Sequence, residues 1–376
     1  MTPLAGALLG VPARQWTSLL PGLLAAVALG ALGIGASQFV GARVLGLAKS
    51  PVSPVMVGIL LGMLVRNLLG APAFVRPGLR FAVTKVLRLG IILLGIRLSM
   101  FEVARLGLIS IPVVVVCILF GILFSSLLNR WFALPARLGT LIGVGTAICG
   151  VSAIAATGPV IDAKEEETAY AIAVITVFGL LAMVAYPFLC PWLFDDPTSV
   201  GLFLGTAVHD TSQVNGAAII YSDAHAAPRA LDVAVVTKLV RNLFMIAIIP
   251  WMAVRYHKSQ TASGERSRVA LAKLFPLFVI GFVVMAAFRS LGDAGLASGG
   301  AFGLWSAEAW HQGCATVQRI SGYCLVVALS AVGLSTDFRA MRSLSVKPFL
   351  VGLGTALAVG AVSFAAITVL NSWILR

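Results

Sequence analysis

The residues best suited to chemistry in this chain lie in two strings that echo each other. Gly145-Thr146-Ala147-Ile148-Cys149-Gly150-Val151-Ser152 is matched in register by Gly205-Thr206-Ala207-Val208-His209-Asp210-Thr211-Ser212. Both place glycine and hydroxyl residues inside strongly apolar sequence, a composition that a lipid-facing helix does not need. It suits backbone that unwinds at membrane depth, where half-helix N-termini turn free N–H groups and a positive dipole end toward an anion. The glycines Gly145, Gly150, Gly205 and Gly216 allow unusual φ and a close approach to a ligand. The candidate binding set is Thr146, Cys149, Gly150, Ser152, Thr206, Thr211, Ser212, Gln213 and Asn215, with Arg241 from a later helix. Tight helix packing explains one such string equally well. Two in register, each with polar side chains, favour a ligand site.

Ionisable groups sharpen the picture. His209 and Asp210 sit within the second string, and such groups at membrane depth are costly and usually functional. They could couple transport to protons, since histidine titrates near neutral pH, or form a structural hydrogen-bonded pair at a hairpin tip. A Ser/His/Asp triad is disfavoured, because adjacent His and Asp have poor triad geometry and no G-x-S-x-G string occurs. No catalytic residue is therefore assigned, and the chain does not read as an enzyme. Lys238 and Arg241 share one face of an apolar helix. They should face a polar path or the 199–221 segment, contacting the ligand or pairing with Asp210 or Asp232. Arg97 interrupts another apolar run and joins His209, Asp210 and Lys238 as a coupling or charge-pairing candidate. Arg66 and Arg88 read as topological anchors near span ends. The acidic run from Asp162 to Glu167 reads as a helix start, with Asp162 as N-cap and Glu165 completing a capping box.

The elements that must position these residues follow from composition. Of 376 residues, 59% are apolar and only 11% charged; soluble proteins carry about 25% charged residues. This is an all-α polytopic membrane protein with no room for a sizeable soluble domain. Spans are expected near 17–36, 52–69, 86–100, 107–129, 168–189, 231–254, 271–289, 321–336 and 346–372. The segments 139–161 and 199–221 lie between them as interrupted helices, either crossing or re-entrant. Weak similarities between helices of the two halves select the re-entrant form, because every repeated pair is then inverted. The expected architecture is a single inverted-repeat transporter domain over residues 1–376, with about nine spans and two interrupted segments.

The net charge of +13 invites a nucleic-acid reading, but lysines and arginines in short loops fit a positive-inside membrane protein better. The basic loop 255–273 then faces the cytoplasm, as does the N-terminus, while Asp195 and Asp196 face outside. Trp305, Glu308, Trp310 and His311 read as an interfacial amphipathic stretch. The cysteines Cys117, Cys149, Cys190, Cys314 and Cys324 show no paired spacing, so no disulfide, metal or cofactor is expected. No G-x-x-x-x-G-K-[ST] string is present, which disfavours direct ATP drive within the chain.

The two strings, together with Gly95-Ile96-Arg97-Leu98-Ser99 and Lys238-Leu239-Val240-Arg241-Asn242, resemble the bacterial sulfate exporter family over roughly residues 50 to 372. The resemblance implies an inner-membrane protein related to the cation:proton antiporter and anion transporter superfamily. It further implies inverted repeats, a core with interrupted helices and a scaffold that often dimerises. Sulfate, or a related sulfur oxyanion, is an implication of that resemblance alone; the residues themselves point to a small anion. Sodium and proton coupling both stay open, with His209 and Asp210 leaning toward protons. A passive anion channel and a carrier of small carboxylates or organosulfonates are the alternatives.

Overall fold

The computed structural model describes residues 16–44, 52–257, 276–296, 300–337 and 346–374. Most of the basic loop 255–273 lies outside them. Apolar sequence in lipid must satisfy its backbone internally, and here it does so with helices. Helix α1 (Trp16–Phe39) is followed by α2 (Pro54–Leu68), which proline opens. Residues 76–97 form one segmented helical run: α3 (Arg76–Phe81), a π-turn, α4 (Leu87–Leu94) and a 3-10 turn. Helix α5 (Met100–Trp131) leads into the short pair α6 (Ala136–Ala147) and α7 (Val151–Thr157). The long α8 (Glu165–Leu193) precedes a second short pair, α9 (Pro197–Ala207) and α10 (Thr211–His225). Next come α11 (Pro228–Leu243) and α12 (Met245–His257), which together make one span. Helices α13 (Leu277–Leu296), α14 (Ala307–Ser335) and α15 (Val346–Ile374) complete the described chain. Among the described residues, 7 spans are long and apolar enough to cross a bilayer.

Two helix starts differ from the sequence expectation. Asp162 takes a left-handed φ of 51°, and α8 begins after Lys164, whose N–H donates to Glu167 Oε2 at 2.8 Å. The capping contact therefore falls two residues later, because Asp162 instead ends a 3-10 turn (Pro159–Ile161). Of the stretch read as interfacial, Glu308, Trp310 and His311 lie in the first turns of α14, and Trp305 precedes the helix. Ser306 caps it, and Trp310 is 1% exposed with Nε1 donating to Asp293 Oδ1 at 2.7 Å. The polar residues here occupy only the outer face of a long helix, so hydropathy alone started it too late.

The helices pack into two compact units. The first comprises Met1–Val103, Asp223–Ala226 and Phe278–Ala340. Small residues bring its backbones together: a Cβ on Gly62 of α2 would lie 2.7 Å from Ser330 O of α14. An ion pair of 2.8 Å between Arg66 and Asp337 joins the ends of those helices.

The second unit comprises Ala104–Ser222, Ala227–Leu277 and Met341–Arg376. Helix α6 runs antiparallel to α12, with Thr140 Oγ1 2.6 Å from Tyr256 Oη and Cys149 Sγ 3.1 Å from Met245 Sδ. Beyond Gly150 the chain doubles back. Ile154 packs on Gly145, and Val160 and Ile161 rejoin Leu138, Ile142 and Met252 in one apolar cluster. Helix α9 runs parallel to α11, Gly201 meeting Val233 and Gly205 meeting Thr237. Since only Ala226 and Ala227 join α10 to α11, α10 must run back alongside. Both pairs are thus hairpins. The start of α8 lies by the base of the first, Gly158 packing on Thr168. Its far end lies by the second, with Phe194 and Phe203 ring centroids 5.5 Å apart. The hairpins therefore approach from opposite ends of α8, and each is followed by a long span of opposite direction. That is an inverted repeat.

Candidate functional site

The two hairpin tips meet beside the middle of α8. Helix α6 stops at Ala147 because Ile148 leaves the helical region (φ −120°, ψ −95°), and Gly150 then adopts φ 67°, ψ −124°. A side chain there would be strained, and its Cβ would lie 3.1 Å from Asp210 Cβ, so the tips touch at this point. Helix α9 stops at Ala207 as Val208 becomes extended (φ −86°, ψ 139°).

Each stopped helix leaves carbonyls without intrahelical donors and about half a negative charge. Both ends are met by one stretch of α11. Lys238 and Arg241 are each 0% exposed. Lys238 Nζ donates to Ile148 O at 2.8 Å, to Val208 O at 3.3 Å and to His209 O. An ammonium, with three N–H groups, can meet all three carbonyls. Arg241 Nε donates to Ala147 O at 2.7 Å, Nη1 to Thr206 O at 2.7 Å and Val208 O at 3.0 Å, and Nη2 to Thr146 O. Two cations on one helix therefore hold both tips. The sequence anticipated pairing with Asp210 or Asp232; among the described residues the side-chain hydrogen bonds of Lys238 and Arg241 go instead to main-chain carbonyls, because the broken helices supply the negative end.

The opposite, N-terminal ends differ from each other. Free N–H groups are expected at both, yet Asp210 caps α10: its Oδ1 accepts from Ser212 N at 2.9 Å and Ser212 Oγ at 2.7 Å. Gln213 Oε1 accepts from Asp210 N at 3.1 Å, and its Nε2 donates to Thr176 O at 3.3 Å. The start of α7 has no side-chain cap.

The structure gathers most of the candidate residues at this centre, though in varied roles. Thr146 and Thr206 turn their hydroxyls back to Ile142 O and Leu202 O and present carbonyls to Arg241. Cys149 faces Met245. Asn215 Nδ2 donates to Thr211 O at 2.7 Å, and Thr211 Oγ1 accepts from Asn242 Nδ2 at 3.3 Å. His209 is 0% exposed, and among the described residues neither ring nitrogen has a hydrogen-bond partner. Ser152 stands apart, exposed on α7. Arg97 belongs to the first unit, in its 3-10 turn. Asn242 was not singled out from the sequence; its spacing of four from Lys238 was the available signal. Among the described residues no group of three or more His, Cys, Asp and Glu could hold a metal ion.

Long apolar helices around buried, backbone-bound cations define a multi-pass helical membrane protein. The chain belongs to the family described as conserved hypothetical protein 698, whose profile matches residues 21–352. It is 36% identical over 294 residues to a UPF0324 membrane protein of Streptococcus pneumoniae serotype 4, covering 78% of this chain and 83% of that one. A UPF0324 membrane protein of Streptococcus agalactiae serotype V is 32% identical over 329 residues, 88% of this chain and 92% of that one. One from Bacillus cereus is 31% identical over 332 residues, covering 85% and 89%. The solved structure of the sodium proton antiporter MjNhaP1 from Methanocaldococcus jannaschii at pH 8 is similar over 94% of this chain and 99% of that one. Its identity is 13% and its TM-score 0.26, too distant a likeness to carry weight for fold or function.

Proposed function

We propose that this chain is a secondary transporter of a small anion in the bacterial inner membrane, with a cytoplasmic N-terminus. Sulfate or a related sulfur oxyanion is the first substrate class to test, and export the direction. The observation that carries this reading is the junction of two inverted hairpins around Lys238 and Arg241.

Its charge can be counted. The two cations bring +2, the two C-terminal helix ends about −1, the two N-terminal ends about +1, and Asp210, which accepts two hydrogen bonds on one oxygen, −1. The remainder is roughly +1, suited to an anion. The cations act through the backbone they hold, so direct contacts fall to His209, whose ring is buried without a hydrogen-bond partner among the described residues, and to the uncapped N–H groups of the first tip. Arg97 belongs to the first unit and is proposed only as a charge-pairing group there.

Proteoliposomes holding the full chain, loaded with labelled sulfate, sulfite or a small organosulfonate and tested with and without a pH gradient, check the proposal. Saturable flux that responds to the gradient is expected. Flux linear in concentration and indifferent to every gradient would show a passive channel. No flux of any of these anions would sink the substrate class.

A further inference from the structure

Where α1 crosses the segmented run 76–97, the first unit carries a cleft of about 390 Å³. Clefts of about 300–1,000 Å³ commonly hold small ligands. The crossing is close because glycines meet backbone: a Cβ on Gly78 would collide with Leu19 O, and one on Gly22 with Val75 O. Arg76, Arg80 and Lys85 all line the cleft, and among the described residues no acidic side chain does. Like charges one helical turn apart repel, so three cations converging here call for an anion from outside the chain.

The backbone departs from a regular helix where Lys85 joins the group. Five residues of α-helix would carry its side chain about 140° round from that of Arg80. Instead the π-turn (Ala82–Val86) closes an i→i+5 bond, Leu87 N–H donating to Ala82 O, and Lys85 lines the same cleft as Arg80. Single π-turns inside helices are frequent at functional sites. The Thr84 hydroxyl donates to Arg80 O at 2.7 Å, so the charge offered to an anion is that of the three cations.

We propose that this cleft binds the phosphate of an anionic phospholipid, with Arg76, Arg80 and Lys85 around the phosphodiester and the acyl chains leaving past Leu19 and Phe81. Depth selects the lipid. Helix α1 has 24 residues, or about 36 Å, against a hydrocarbon core of about 30 Å. Its first turn, with Ser18 and Leu19, therefore lies among headgroups, and Trp16 opens it with a residue that favours that depth. Basic clusters beside a span recognise anionic headgroups, whereas a zwitterionic headgroup brings an ammonium that three cations repel. The inference is independent of what the hairpin tips carry.

The test measures lipid retention. Delipidated full-length protein in detergent is titrated with phosphatidylglycerol or phosphatidylcholine of the same acyl chains, and bound lipid is counted by native mass spectrometry alongside Tm. Saturable retention of phosphatidylglycerol and a rise in Tm specific to it are expected. Lys85→Gln should weaken that retention about fivefold, and the double variant Arg76→Gln, Arg80→Gln should abolish the preference while its melt in phosphatidylcholine follows the parent. Arg130→Gln, a cation at the end of another span, should leave the preference intact. Equal retention of the two lipids, or an equal loss from Arg130→Gln, would overturn the site. Displacement of phosphatidylglycerol by an equal concentration of soluble glycerol phosphate would overturn the lipid as its occupant. Neither readout uses anion flux, so these failures are distinct from a failure of the proposed transport.

Discussion

Replacing Arg241 by leucine removes the guanidinium that joins the two hairpin tips while keeping an apolar stem. Val208 O retains Lys238 as a donor, but Thr146 O, Ala147 O and Thr206 O lose their side-chain donors. Each buried acceptor left unmet costs about 1–3 kcal/mol, so the three together cost on the order of 3–9 kcal/mol before relaxation. Folded domains hold only about 5–15 kcal/mol in reserve. A kilocalorie moves Tm by about 2–4 °C in a unit of this size, so a fall on the order of 10 °C or more is expected. The assay is a melt with a fluorogenic thiol dye, since Cys117, Cys149, Cys190 and Cys314 are buried and report unfolding when they become reactive. Arg241→Lys restores the charge but not the planar fork that reaches both hairpins, and should recover only part of the loss. A melt of Arg241→Leu within about 2 °C of the parent would refute the clamp, and with it the view that the cations act through backbone.

Other outcomes follow from the same geometry. Gly150→Ala should lose on the order of 1–3 kcal/mol from its left-handed φ and displace Asp210, seen as a lower Tm and reduced anion flux. Asp210→Ala removes the α10 cap, worth about 1 kcal/mol, and raises the charge of the tips; competition flux should shift toward divalent over monovalent anions. Ser152→Ala, on the exposed side of α7, should change stability by less than about 0.5 kcal/mol. A cysteine replacing Asp195 should react with an impermeant maleimide in intact cells, and one replacing Arg137 only after permeabilisation; the reverse pattern would invert the proposed orientation.

The breaks at residues 148–150 and 208–210 were legible because glycine and hydroxyl residues interrupt apolar runs in register, a signal that local composition carries. The charges at Lys238 and Arg241 were equally visible, but not their partners. A sequence displays acidic side chains and hides carbonyls, so Asp210 and Asp232 stand out in it as counter-charges although the acceptors are main chain. Asp210 itself was seen as a coupling candidate, yet its capping of α10 depends on the turn it occupies. The start of α14 was obscured because Glu308 and His311 lower hydropathy, while Trp310 is buried against Asp293.

The clamp also sets an order of assembly. The bonds from Arg241 to Ala147 and from Lys238 to Ile148 span 94 and 90 residues of chain. During synthesis the first hairpin is complete long before the helix that neutralises its tip has been made. Its carbonyls must stay hydrated, or the hairpin must wait at the membrane surface, until α11 arrives. Chains truncated before Lys238 should therefore insert their long spans yet leave both hairpins unseated and open to quality-control proteases.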